Sequence, residues 1–339
     1  MDSTKIIEKE FTRITKSVLV HEAVLLVENE SGDFRSERGY GGKDVYSPIL
    51  MASVAKLFVT ACLLIFKKQR KLYLNDKLSG YFEDGVLNGL HTFKGKDYSH
   101  NLTLADLLFH KSGLPCWYQT GGVHQRVINE DFEFSFEKQL ENTRNREAEF
   151  APSGRKAYYS DLNFGLLGKV IEKISDQPID EVYQNHIIKP LGLNKTCFIT
   201  DDCAVPAVWF KNKQIYRPKF LSTHGEQAVI TTTDELMIFI KSFFMGSLFG
   251  MEVFDELSTY TKLQSMFPMR SGGGYWQIPL GGFANLFMGK GELLGHSGST
   301  GSFAFYYPHK KLYFVGDLNQ AAAPALPIRL VMRLAMKVK

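Results

Sequence analysis

Over the first twenty residues Ile7, Phe11, Ile14 and Val18 recur at helical spacing with charged residues between them, which predicts an amphipathic helix that buries all four. The period then changes. In "EAVLLVENESGDFRSERGYGG" an apolar run ends at Ser31-Gly32-Asp33 and a second extended segment follows, the pattern of a hairpin. From Ile49 to about Asp202 the signals are mostly helical, as in "TLADLLFH", which Gly113 and Pro115 bring to a stop. Beyond, "FMGKGELLGHSGSTGSFAFYYPHKKLYFVGDLN" offers three strand candidates, parted by a Gly/Ser turn and by Pro308-His309-Lys310-Lys311. The stretch "ALPIRLVMRLAMKV" closes the chain as a second amphipathic helix. Strands near both ends predict one antiparallel sheet, of α/β (α+β) class, flanked by the terminal helices with a helical lobe inserted. The expected division of this single unit is a sheet lobe of residues 1–50 plus 205–339 and a mostly helical lobe of residues 51–204.

Composition narrows the field. At 44% hydrophobic, 339 residues can bury a sizeable core. A net charge of +4, scattered along the chain, carries no nucleic-acid footprint, so no nucleic-acid partner is expected. The N-terminus lacks the apolar core of a signal peptide, from which a cytoplasmic location is expected. The run from Leu57 to Phe66, interrupted by Thr60, is about half the roughly 20 residues of a membrane span and reads as a core helix. Cys62, Cys116, Cys197 and Cys203 form no C-x-x-C pair, and no two of the nine histidines have metal-ligand spacing. Metal-free chemistry without a cofactor is the expectation.

One residue inside the apolar stretch "ILMASVAKLFVTACLLIF" calls for an explanation. Burying the ammonium of Lys56 requires a partner or a shifted pKa, and Ser53 stands three residues before it. Residues three apart share a helix face, so a helix starting near Ser53 sets a hydroxyl beside an amine. Burial and the helix dipole lower the lysine pKa from about 10.4, and a neutral amine can take the serine proton. A second S-x-x-K, from Ser153 to Lys156, follows Ala151-Pro152 and looks like a turn.

With "SVAK", the later "YYSDLNFGLLGKVIEK" and "GHSGSTGS", the chain resembles the serine β-lactamase and penicillin-binding-protein superfamily. The resemblance is greatest to its class C-like branch of β-lactamases, D,D-peptidases, D-aminopeptidases and esterases. The family's S-x-x-K, Y-x-N and late K-T-G or H-x-G boxes fall on Ser53 to Lys56, Tyr159 to Asp161, and His296 to Gly298. "LLFHKSGLP", "IIKPLGL" and "GEQAVITTTDEL" look like its connecting segments. The resemblance implies an acyl-enzyme on Ser53, with Lys56 and Tyr159 as the base pair and His296 assisting. A phenol near an ammonium ionises more easily, so Tyr159 can shuttle the serine proton. Gly298 permits close approach of a strand edge, and the resemblance implies that the backbone amide of Ser299 joins that of Ser53 in an oxyanion hole.

Two departures bear on substrate. Asp161 replaces an amide that donates and accepts with a carboxylate that only accepts, and His296 replaces a permanent cation with a mostly neutral ring. Both argue for a small ester, or an amide or ester of a D-amino acid, over a β-lactam. Asp161 either meets a substrate amine or pairs with Lys56. The alternatives are a β-lactamase or D,D-carboxypeptidase, and a catalytically silent binding or scaffold protein. No G-x-S-x-G elbow occurs, S-D-N is not met because Leu162 precedes Asn163, and no phosphate-binding G-x-x-x-x-G-K-[ST] is present.

Overall fold

The computed structural model describes residues 2–152, 154–199, 204–224, 226–264, 266–281 and 289–338. Eight antiparallel strands make the main sheet: β1 (Ala23–Asn29), β2 (Arg35–Tyr40), β3 (Thr261–Lys262), β4 (Arg270–Ser271), β5 (Trp276–Pro279), β6 (Glu292–Ser297), β7 (Ser302–Tyr307) and β8 (Leu312–Asp317). Their order across the sheet is β3-β4-β5-β6-β7-β8-β1-β2, so the strand nearest the N-terminus pairs with the last one, Leu26 opposite Val315. The sheet thus draws on both ends of the chain, and the β1–β2 hairpin and three late strands lie where the alternation predicts.

Both faces of the sheet are covered, which explains why β1 reads as a continuous apolar run rather than an alternating one. Ala23, Leu25 and Val27 join Phe303, Phe305 and Phe314 under the two terminal helices, α1 (Ser3–Thr15) and α5 (Ala325–Lys337), which contribute Ile7, Phe11, Val331 and Leu334. Val24, Leu26, Ala304 and Val315 face the other way, against Phe239, Ile240 and Phe243 of α4 (Thr233–Phe244). Val18 departs from expectation. The first helix ends at Thr15 and leaves Val18 85% exposed, because the chain must turn there to enter β1.

The remaining core belongs to the helices between. In α2 (Lys56–Lys68) every residue from Lys56 to Phe66 is buried, with no polar face at all, and α3 (Asp161–Ser175) packs against it. A small sheet of Ile49–Leu50, Val229–Thr231 and Cys197–Phe198 ties the segment before α2 to the rest, with Val229–Thr231 in the middle. No helix among the described residues is long and apolar enough to cross a membrane.

Candidate active site

Ser53 does not begin the α-helix. Residues Ala52–Ala55 form one 3-10 turn, and the α-helix starts at Lys56. The turn opens with Ala52 at φ 45°, a left-handed conformation that a residue with a Cβ adopts only when its surroundings enforce it. The enforcement comes from the β6–β7 hairpin. Ser302 Oγ donates to Met51 O at 2.8 Å and Thr300 Oγ1 to Leu50 O at 3.2 Å. Gly298 makes that approach possible, since a Cβ there would stand 2.7 Å from Met51 O. Its own amide is spent on Ser302 O at 2.8 Å, whereas the Ser299 amide has no acceptor among the described residues.

Lys56 is fully buried, and its nitrogen meets three acceptors: Asp161 Oδ1 at 2.6 Å, Gln227 Oε1 at 2.7 Å and Ser53 Oγ at 3.2 Å. Three acceptors match the three N–H donors of an ammonium and leave no lone pair for a proton. Asp161 supplies the partner that burying the Lys56 nitrogen requires. Of the two roles expected of Asp161, pairing with Lys56 is the one present. Its Oδ2 accepts from Cys116 Sγ at 3.3 Å, and it occupies the first turn of α3, where the helix dipole favours a carboxylate. Burial pushes the Asp161 pKa up, but the Lys56 charge and the hydrogen bonds from Lys56 and Cys116 prevail and hold it below the usual carboxylate value.

The Tyr159 hydroxyl lies 3.0 Å from Ser53 Oγ and 3.2 Å from Asp161 Oδ1. Burial and the Asp161 charge raise its pKa well above 10, against the opposing hydrogen bond with Ser53. The easier ionisation expected beside a lysine is reversed, since a carboxylate now stands between the two. Beneath the phenol, His110 packs at 4.7 Å and accepts at Nδ1 from Asn163 Nδ2 and the Ser160 amide. Burial, then the Lys56 charge, lowers its pKa to about 3, so it is a neutral support for Tyr159.

His296 is buried, its ring 3.9 Å from that of Trp276, with Nδ1 donating to Ser297 O. Burial holds it neutral, with a pKa well below 6.5, and Trp276 lines the cleft in its stead. The His296 ring lies 6.1 Å from that of Tyr159, and its Nε2 has no hydrogen-bond partner among the described residues. Ser53, Tyr159, Asp161, Gly298 and Ser299 all border one cleft of about 620 Å³. Ser153 lies outside the described residues. Sequence reasoning missed Gln227 and Cys116, which carry no motif. Counting the acceptors a buried ammonium requires would have called for such residues without naming them.

This sheet, helical lobe and Ser53-centred cluster define a β-lactamase/transpeptidase-like fold. The Beta-lactamase family model matches residues 26–333, and the chain belongs to that family. Over 151 residues it is 30% identical to the "Putative D-alanyl-D-alanine carboxypeptidase" of Escherichia coli (strain K12), a match covering 44% of this chain and 33% of that protein. The chain thus spans about a third of the length of that curated relative. A D-stereospecific amidohydrolase from Streptomyces sp. has the same fold at TM-score 0.80 and 20% identity, over 99% of both chains. The octameric penicillin-binding protein homologue from Pyrococcus abyssi follows at TM-score 0.78 and 19% identity, over 98% of this chain and 76% of the other.

Proposed function

We propose that the chain is a serine hydrolase that forms an acyl-enzyme on Ser53 and acts on a small, uncharged ester or on an amide or ester of a D-amino acid. The observation that carries this reading is the bonding of Ser53 Oγ to both Lys56 Nζ and Tyr159 Oη at the floor of a cleft. Such a hydroxyl has a route for its proton and a cation beside it, the two requirements of an activated nucleophile. The amides of Ser53 and Ser299 serve as the oxyanion hole, Ser53 by its place in the first turn and Ser299 by its unspent N–H.

The walls of the cleft support the substrate class. Trp117, Phe220, Val208, Ile215 and Met269 make them largely apolar. Among the described residues Arg217 supplies the guanidinium of the lining, and its donors go to the carbonyls of Val127, Ile128 and Tyr216. With Lys56 committed to Asp161 and a neutral His296, a substrate carboxylate finds no free cation among the described residues of the lining, which counts against a carboxypeptidase or β-lactamase role. Asp161 is committed as well, so a substrate amine draws no preference from it. The protein is expected to hydrolyse p-nitrophenyl butyrate and D-phenylalaninamide and to leave a cephalosporin intact, and Ser53→Ala is expected to lose at least 1,000-fold in kcat while its thermal transition is kept. Hydrolysis by Ser53→Ala at the wild-type rate would refute the assignment.

A further inference from the structure

We propose that the proton of Ser53 is accepted by Asp161, reached through the hydroxyl of Tyr159, with Lys56 remaining an ammonium throughout. This rests on the hydrolase reading above and deepens it. The three groups around Ser53 leave one place for a proton. Lys56 Nζ already faces three acceptors, so it has no lone pair to offer. A phenolate on Tyr159 would put a second negative charge 3.2 Å from Asp161 Oδ1, so Tyr159 stays protonated. Asp161 Oδ1 is the basic atom that the Tyr159 hydroxyl touches, at 3.2 Å, whereas the unpartnered Nε2 of His296 makes no hydrogen bond to Tyr159.

In the step, Ser53 Oγ bonds to the carbonyl carbon and the C=O electron pair moves to the carbonyl oxygen. The serine proton passes to Tyr159 Oη as the phenol's own proton passes to Asp161 Oδ1. Collapse of the tetrahedral species breaks the bond to the leaving group. The proton then returns from Asp161 through Tyr159 to the departing oxygen or nitrogen, giving the acyl-enzyme, a neutral alcohol or amine, and Asp161 again ionised. Water repeats the sequence to release the acid. While Asp161 is protonated, the negative charge lies on the acyl oxygen, held by the amides of Ser53 and Ser299, and Lys56 keeps its contact with Ser53 Oγ at 3.2 Å.

The groups around Asp161 are accounted for. Lys56 approaches from α2, Cys116 and Tyr118 from the loop before residue 120, and His110 from the end of the preceding helix. His224 and His296 feel its charge from the cleft wall and from β6, and burial keeps both neutral. None of them stands between Tyr159 and Asp161.

The test is kcat/KM for p-nitrophenyl butyrate between pH 6 and 8 in wild type and Asp161→Asn, with far-UV circular dichroism to show that both are folded. The relay predicts a wild-type rate that changes less than about threefold over this range, because its acceptor is already ionised at pH 6. In Asp161→Asn the base must come from Lys56 or Tyr159, so the rate is expected to fall about 100-fold or more at pH 6 and to climb roughly tenfold per pH unit. A wild-type rate that itself climbs about tenfold per unit would overturn the relay and leave the hydrolase reading standing. So would an Asp161→Asn profile parallel to that of wild type. If the variant does not fold, the wild-type slope alone decides. Absence of hydrolysis at every pH would overturn both proposals.

Discussion

At the residue scale the buried Lys56–Asp161 pair is the feature on which the site turns. A lone ammonium or carboxylate at this depth is costly, so each makes the other tolerable, and Gln227, Cys116 and Tyr159 fill the remaining positions. Lys56→Met, which strands the carboxylate, is expected to cost about 3–5 kcal/mol in urea unfolding, and Lys56→Met with Asp161→Leu should recover most of it. A single variant as stable as wild type would mean that the pair is not held as ions. Ser53, Lys56 and Tyr159 were legible in the sequence because each sits at a fixed offset within a short box. Their bonding pattern was not, because it depends on which oxygens converge on the Lys56 nitrogen from residues 53, 161 and 227. No periodicity links those positions.

At the element scale the position of Ser53 is set by how closely the β6–β7 hairpin approaches the 3-10 turn. Gly298 is the point of nearest approach, with Met51 and Ser302 on either side. Gly298→Ala should push the two elements apart and lower kcat/KM at least about tenfold, since reacting groups held a fraction of an ångström from their productive places lose rate steeply. An unchanged rate would show that the hairpin can yield without moving Ser53. The strands of this hairpin were readable from alternation and turn residues. The 3-10 turn was not, because "ASVA" carries the composition of a helix start, and the left-handed Ala52 that opens the turn follows from the hydrogen bonds of Ser302 and Thr300. Val18 likewise continued the helical period on paper and lies past the point where the chain turns.

At the scale of the whole molecule, three histidines are buried around the cleft, and burial lowers the pKa of each: His110 to about 3, His224 and His296 also below 6.5. The unfolded chain binds protons at these positions as the pH drops below about 6.5, whereas the folded chain does not. Stability is therefore full above that value and is lost as pH falls, by up to about 1.4 kcal/mol per unit for each histidine kept neutral. The thermal midpoint should drop steeply between pH 6.5 and 5 and return on neutralisation, and a flat profile would contradict the burial described. The sheet assembled from both termini was legible because strand-like patterns stand at both ends of the chain. The cleft was not, since its walls come from strands, a helix and loops far apart in sequence that meet only in the fold. The most direct test of the account is the intact mass of the protein after exposure to a fluorophosphonate, followed by peptide mapping. The account predicts one adduct, on Ser53, absent in Ser53→Ala; an unmodified protein, or an adduct on another residue, would contradict it.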